Sequence, residues 1–189
     1  ILFPALIKWV GAAGEKLHRR LAEEIRTIVK EEGGVTLSGL NRMSLVKSVA
    51  YEALRIEPAV PFQYGKARED IVINSHDSAF LIKKGEMIFG HQPFATKDPK
   101  IFANAEEFVG DRFVGEGEKL LEYVCWSNGR ETDNPSKNNK QCPAKDLVVL
   151  LSRLMLVEFF LKYDTFTVDA ATVLLGPLVT VTSLTTASS

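Results

Sequence analysis

Cysteine and histidine are both scarce in this sequence, two and three among 189 residues. Cys125 and Cys142 are too few for a disulfide framework. With no C-x-x-C pair and no clustered histidines, the pattern also argues against a zinc site. A reducing compartment is the default for such a chain. Charge of one sign is lacking too: 23 Lys and Arg stand against 24 Asp and Glu. That balance gives no electrostatic reason to expect nucleic acid or an anionic membrane as partner. The opening apolar run is too short to span a bilayer. The opening "ILFPALIKWVG" is interrupted by Pro4 and Lys8, and it lacks the basic start and cleavage site of a signal peptide. Its composition suits the later part of a helix, so the chain is expected to be truncated on its N-terminal side. Internal repeats, low-complexity tracts and domain linkers are absent as well.

What is present is an ordinary globular balance, 46% hydrophobic and 25% charged. Leu17, Leu21, Ile25, Ile28 and Val29 make one apolar stripe and predict a helix over 15–31, stopped by Gly33 and Gly34. A second helix is expected over 43–56, ahead of Pro58. From Pro61 to Gly90 the texture turns to short alternating segments. "DIVINS", "AFLI" and "MIFG" read as antiparallel strands, with "KKGE" as a turn. "HQPFATKDPKIF" allows one helical turn or two. "SNGRETDNPSKNNK" is a polar loop of fourteen residues, a length usually functional or disordered. A long helix follows from about Pro143 to Tyr163, then strands around Gly176 and Pro177. The expected fold class is α+β, mainly α, in a single domain over 1–189.

Cys142 stands out. Pro143 suits the first turn of a helix, which would place the cysteine near the N-cap. A thiolate there can serve as nucleophile, redox centre or metal ligand, and a buried structural cysteine is about equally expected. Glu52 and Arg55 lie three apart on one helix face and can pair. Arg112 sits between Asp111 and Phe113, and Trp126 precedes Gly129 by three. The scattered His18, His76 and His91 are expected at the surface. Cys125 is expected in the core, and 15–32 is expected to be mostly a solvated helix face.

The order E-x-x-R, R-F, aromatic-x-x-Gly and Cys before a long apolar helix resembles the C-terminal half of a cytochrome P450. That resemblance implies small antiparallel sheets beside the helices and a haem b iron ligated by the Cys142 thiolate. It implies a buried network of Glu52, Arg55 and Arg112. Lys140 stands two residues before the cysteine, where the family has Arg on a haem propionate, and can act there as a point charge. The match is partial. Trp126 replaces the usual Phe, and Ala144 replaces the usual Gly. Gly129 and Cys142 are 142 − 129 = 13 positions apart, so the ligand loop is about nine residues longer than usual.

A loop lengthened in this way resembles the plant branch that metabolises fatty-acid hydroperoxides. The similarity extends through "KSVAYEALRIEPAVPFQYGKAR", "EEFVGDRFVGEGEKLLEYV", "WSNGRET" and "NKQCPAKDLVVL", and covers the whole chain. It implies a fatty-acid hydroperoxide substrate, dehydrated to an allene oxide without O2, NADPH or a reductase partner. A hydroperoxide lyase is the alternative within the branch, and a chain inactive by itself is the alternative outside it. Ala144 counts towards the lyases; "ILFPALIKWVG" and "QPFATKDPKIF" count towards the synthases. The resemblance also implies a distal-helix Asn ahead of residue 1, a strand from "PFQYG" over the haem edge, and a hairpin tip at Leu174–Leu178 lining the acyl pocket. A plastid location follows for the branch, with a cytoplasmic one as alternative, and peripheral membrane association is compatible with it.

Overall fold

A computed structural model describes residues 2–137, 139–173 and 176–187. Its frame is helical. The segment α1 (Leu2–Ala13) is separated by Gly14, at φ +77°, from α2 (Glu15–Glu32). The stripe on α2 ends at Gly33, a left-handed cap whose N–H and that of Gly34 reach the Lys30 and Val29 carbonyls. The short α3 (Leu37–Arg42) starts at Thr36, whose hydroxyl accepts the Gly39 N–H at 2.9 Å. The next helix, α4 (Ser44–Ile56), borrows its cap from α2: the Glu24 carboxylate accepts the Leu45 and Val46 N–H groups, each at 2.9 Å. Leu21, Ile25, Val46, Val49, Leu156, Val157 and Phe160 bring α2, α4 and the long α6 (Lys145–Lys162) into one core.

Among the described residues, four two-stranded antiparallel sheets accompany the helices. In the first, β1 (Phe62–Lys66) pairs with β4 (Met87–His91); the hairpin of β2 (Ile71–Asn74) and β3 (Ala79–Ile82) lies between them in sequence. Then come α5 (Gln92–Thr96), a turn-rich stretch to Val114, and a 3₁₀ segment, Gly115–Tyr123. The smallest sheet joins β5 (Cys125–Trp126) to β6 (Gly129–Arg130). The last joins β7 (Tyr163–Val173) to β8 (Gly176–Thr186). This hairpin packs on α1, where a side chain at Gly11 would collide with Val168 and Phe166. A second core cluster of Tyr51, Leu54, Phe102, Phe113, Val124 and Trp126 underlies the β5–β6 region. Of the expected hairpin tip, Leu174 and Leu175 lie outside the described residues.

Three expectations need correction. His18 is not at the surface but fully buried. Its Nε2 meets the Val10 carbonyl and its Nδ1 the Thr165 hydroxyl, each at 2.7 Å, and its ring stacks on Phe166 at 4.8 Å. Burial therefore holds its pKa below the ordinary value, and the two bonds fit a neutral ring that donates through Nε2. Cys125 is not a core residue; it is exposed into a cleft. The long helix starts at Lys145, not Pro143, because the residues before it form a strand bridge and a turn.

Candidate functional site

The sequence around Cys142 folds as an extension of the β5–β6 hairpin. Ser127 bridges Gln141, and the Cys142 N–H donates to the Trp126 carbonyl at 3.2 Å. The chain then turns, and the Cys142 carbonyl accepts the Lys145 N–H at 3.1 Å. The cysteine thus belongs to the strand and turn ahead of α6 rather than to its first turn. The long polar loop leaves the hairpin after Arg130 and returns at Gln141. Gln141 Nε2 donates to the Asp133 carbonyl at 2.7 Å and also to that of Arg130. Gly129 is required where the loop closes, since a Cβ there would collide with Asn139 and Gln141.

Cys142 is half-buried on a cleft of about 390 Å³ lined chiefly by apolar groups, among them Leu2, Leu54, Val60, Val124, Trp126 and Val148. Cys125 lines it too. Cys125 is open to the cleft yet walled by protein, and burial pushes its thiol pKa up. A larger recess, about 510 Å³, carries charged walls from Glu15, Arg19, Arg26 and Asp164 and no thiol. Lys140 is exposed, and among the described residues its ammonium has no acceptor.

Glu52, Arg55 and Arg112 come together. Arg55 donates to both oxygens of Glu52 at 2.7 and 2.8 Å, and Arg112 Nε reaches the same carboxylate at 2.9 and 3.0 Å. The Val109 N–H adds a further bond at 2.8 Å. Glu52 and Arg55 are 0% exposed and the Arg112 side chain 5%. Two guanidiniums exceed one carboxylate in charge, and backbone carbonyls take the surplus donors. Arg55 reaches Thr96, Ala105 and Glu107, while Arg112 reaches Ala103, Asn104 and Glu107. Phe102 lies under both guanidiniums, at 5.1 and 5.8 Å. The network fastens the irregular 96–112 stretch onto α4.

A second hub escaped sequence reasoning. Glu131, in the polar loop, accepts from Tyr51 Oη at 2.8 Å, Trp126 Nε1 at 2.5 Å and Lys145 Nζ at 3.2 Å. Burial, and then the Glu131 charge, push the Tyr51 phenol pKa upward. Burial alone would lower the Lys145 ammonium, but the Glu131 carboxylate outweighs it and the net shift is upward. No local signal marks this site, because its members come from α4, β5, the loop and α6.

Among the described residues no three His, Cys, Asp or Glu side chains cluster as metal ligands. A thiol on an apolar cleft suits a flat, largely apolar prosthetic group. Residues 14–131 match the family Cytochrome P450, and the chain belongs to it. Within it, the chain resembles plant oxylipin enzymes throughout. It is 64% identical over all 189 residues to Allene oxide synthase 3 of Solanum lycopersicum, covering 38% of that protein. It is 60% identical over 99% of its length to 9-divinyl ether synthase of Capsicum annuum, covering 39%. With the chloroplastic Allene oxide synthase of Linum usitatissimum the identity is 58% over 97% of the chain and 35% of the relative. The chain thus spans under two fifths of the length of these relatives. Family membership implies a haem iron cofactor, and the Cys142 thiol on an apolar cleft fits one.

Proposed function

We propose that this chain forms the cysteine side of a haem-thiolate enzyme that dehydrates a polyunsaturated fatty-acid hydroperoxide to an allene oxide. The observation that carries the proposal is Cys142, half-buried on the apolar cleft just ahead of the long helix α6. When bound, haem supplies the homolytic cleavage of the hydroperoxide O–O bond. The Cys142 thiolate would hold the iron and lend it electron density. The apolar walls exclude water from the acyl chain and from reactive products. Lys140 would offer its ammonium to a propionate, and "PFQYG", most of which lies in β1, would lie over the haem edge. Loss of one water from the hydroperoxide leaves no electrons to be supplied, which is why neither O2, NADPH nor a reductase is needed.

Divinyl ether synthesis is the second reading, favoured by the 60% identity to the Capsicum enzyme. Two of the similar relatives carry chloroplastic names, and a plastid location belongs to the same proposal. Among the described residues no helix is long and apolar enough to cross a membrane. The test supplies both hydroperoxide regioisomers of a polyunsaturated acid to the haem-loaded protein that contains this chain. Ketols from allene oxide hydrolysis are expected. Divinyl ethers would favour the second reading, and short-chain aldehydes would show a lyase.

A further inference from the structure

We infer that Glu131 is a positioning residue for the Cys142 ligand, acting through the two residues bonded to its main-chain N–H and carbonyl. This rests on the proposed role of Cys142. On the upstream side, the Cys142 N–H donates to the Trp126 carbonyl, and the Trp126 indole N–H in turn donates to Glu131 Oε2 at 2.5 Å. On the downstream side, the Cys142 carbonyl accepts from the Lys145 N–H. The Lys145 ammonium is held by Glu131 Oε1 and by the Glu131 carbonyl, each at 3.2 Å. The two main-chain bonds of Cys142 therefore end on residues whose side chains one carboxylate grips.

Glu131 is itself fixed. Its N–H donates to the Val124 carbonyl at 2.7 Å, and Tyr51 ties its Oε1 to α4 at 2.8 Å. Its side chain is 13% exposed and that of Lys145 16% exposed, so solvent screens the contact only partly. The hairpin it braces has only two residues per strand and could not by itself hold a ligand to the fraction of an ångström that ligation demands. The carboxylate also balances a cation three residues from the sulfur. Without it, the exposed Asp146, 3.4 Å from the Lys145 ammonium, would offset that charge only in part, and the remainder would draw density from the thiolate and raise the potential of the iron.

The experiment uses the haem-loaded protein containing this chain. It records the ferrous–CO spectrum, the ferric–ferrous midpoint potential and thermal unfolding. Glu131→Ala is expected to convert much of the thiolate-type band to the blue-shifted band of a protonated or displaced sulfur. It should also raise the potential and weaken haem retention on the order of tenfold. Glu131→Gln keeps an acceptor and should restore most of the band. Trp126→Phe removes one donor and keeps a ring, so it should shift the band in the same direction by less. Glu122→Gln, an exposed carboxylate paired with Arg130, should change nothing. A folded Glu131→Ala with the parent's band and potential would overturn the inference. If that variant does not fold, unchanged spectra in both Glu131→Gln and Trp126→Phe would overturn it. A parent protein without a thiolate-type band would instead refute the role of Cys142.

Discussion

Two carboxylates organise this molecule, and they do so differently. Glu52 is sealed: it meets two guanidiniums and a backbone N–H, and carbonyls of the 96–112 stretch absorb the remaining donors. Glu131 sits nearer the surface and gathers one cation and two neutral donors around the cysteine turn. Adjacent residues of α4 serve the two hubs, Tyr51 reaching one way and Glu52 the other. The sealed hub cannot lose a partner without stranding buried charge. The open hub can lose one and relax, so its effect is read in geometry rather than in survival of the fold.

Breaking the sealed hub should have the largest effect on stability. Glu52→Ala leaves two buried guanidiniums uncompensated and should cost about 3–5 kcal/mol, read as a loss of folded protein or of denaturant midpoint. Near-parent stability would mean that the carbonyls alone satisfy both arginines. Tyr51→Phe removes one of several arms on Glu131. It should cost about 1.5–3 kcal/mol, the range for a hydrogen bond to a charged group. A cost equal to that of Glu52→Ala would erase the distinction between the hubs.

A third region separates burial from charge. His18 is held neutral in the folded state, with its pKa below the ordinary 6.5. Its contribution is complete above pH 6.5 and is lost as pH falls through the depressed folded value. The unfolded chain takes up a proton there that the folded one resists. Stability should therefore fall with a slope of at most about 1.4 kcal/mol per pH unit, and His18→Gln should flatten that limb. An unchanged slope in the variant would assign the acid limb to other groups. Smallest of all should be Arg19→Ala, which removes an exposed i,i+4 pair with Glu15. About 0.3–0.5 kcal/mol is expected in the same unfolding measurement, and a cost above about 1 kcal/mol would give Arg19 a role beyond the pair.

How much of this was legible follows from distance along the chain. The stripe on α2 and the proline after α4 set both helices to within a residue, and Glu52 and Arg55 announce themselves by lying one turn apart. Arg112 joins them across sixty positions and was visible only through the family resemblance. Glu131 was invisible, since Tyr51 lies eighty residues before it and Lys145 fourteen after. His18 was legible in principle: with Ala22 and Ile25 it continues the buried face of α2, which scattered spacing of histidines obscured. The late start of α6 was hidden because a Pro fits both a first helical turn and the turn before it. The short α3 has too few apolar residues to show a period.

The most direct measurement concerns the sulfur. In the haem-loaded protein containing this chain, Cys142→Ser should abolish the thiolate-type ferrous–CO band and hydroperoxide turnover together, while Cys125→Ser leaves the band in place. A Cys142→Ser protein that keeps the parent's thiolate spectrum and full turnover would contradict the assignment of Cys142 as the iron ligand.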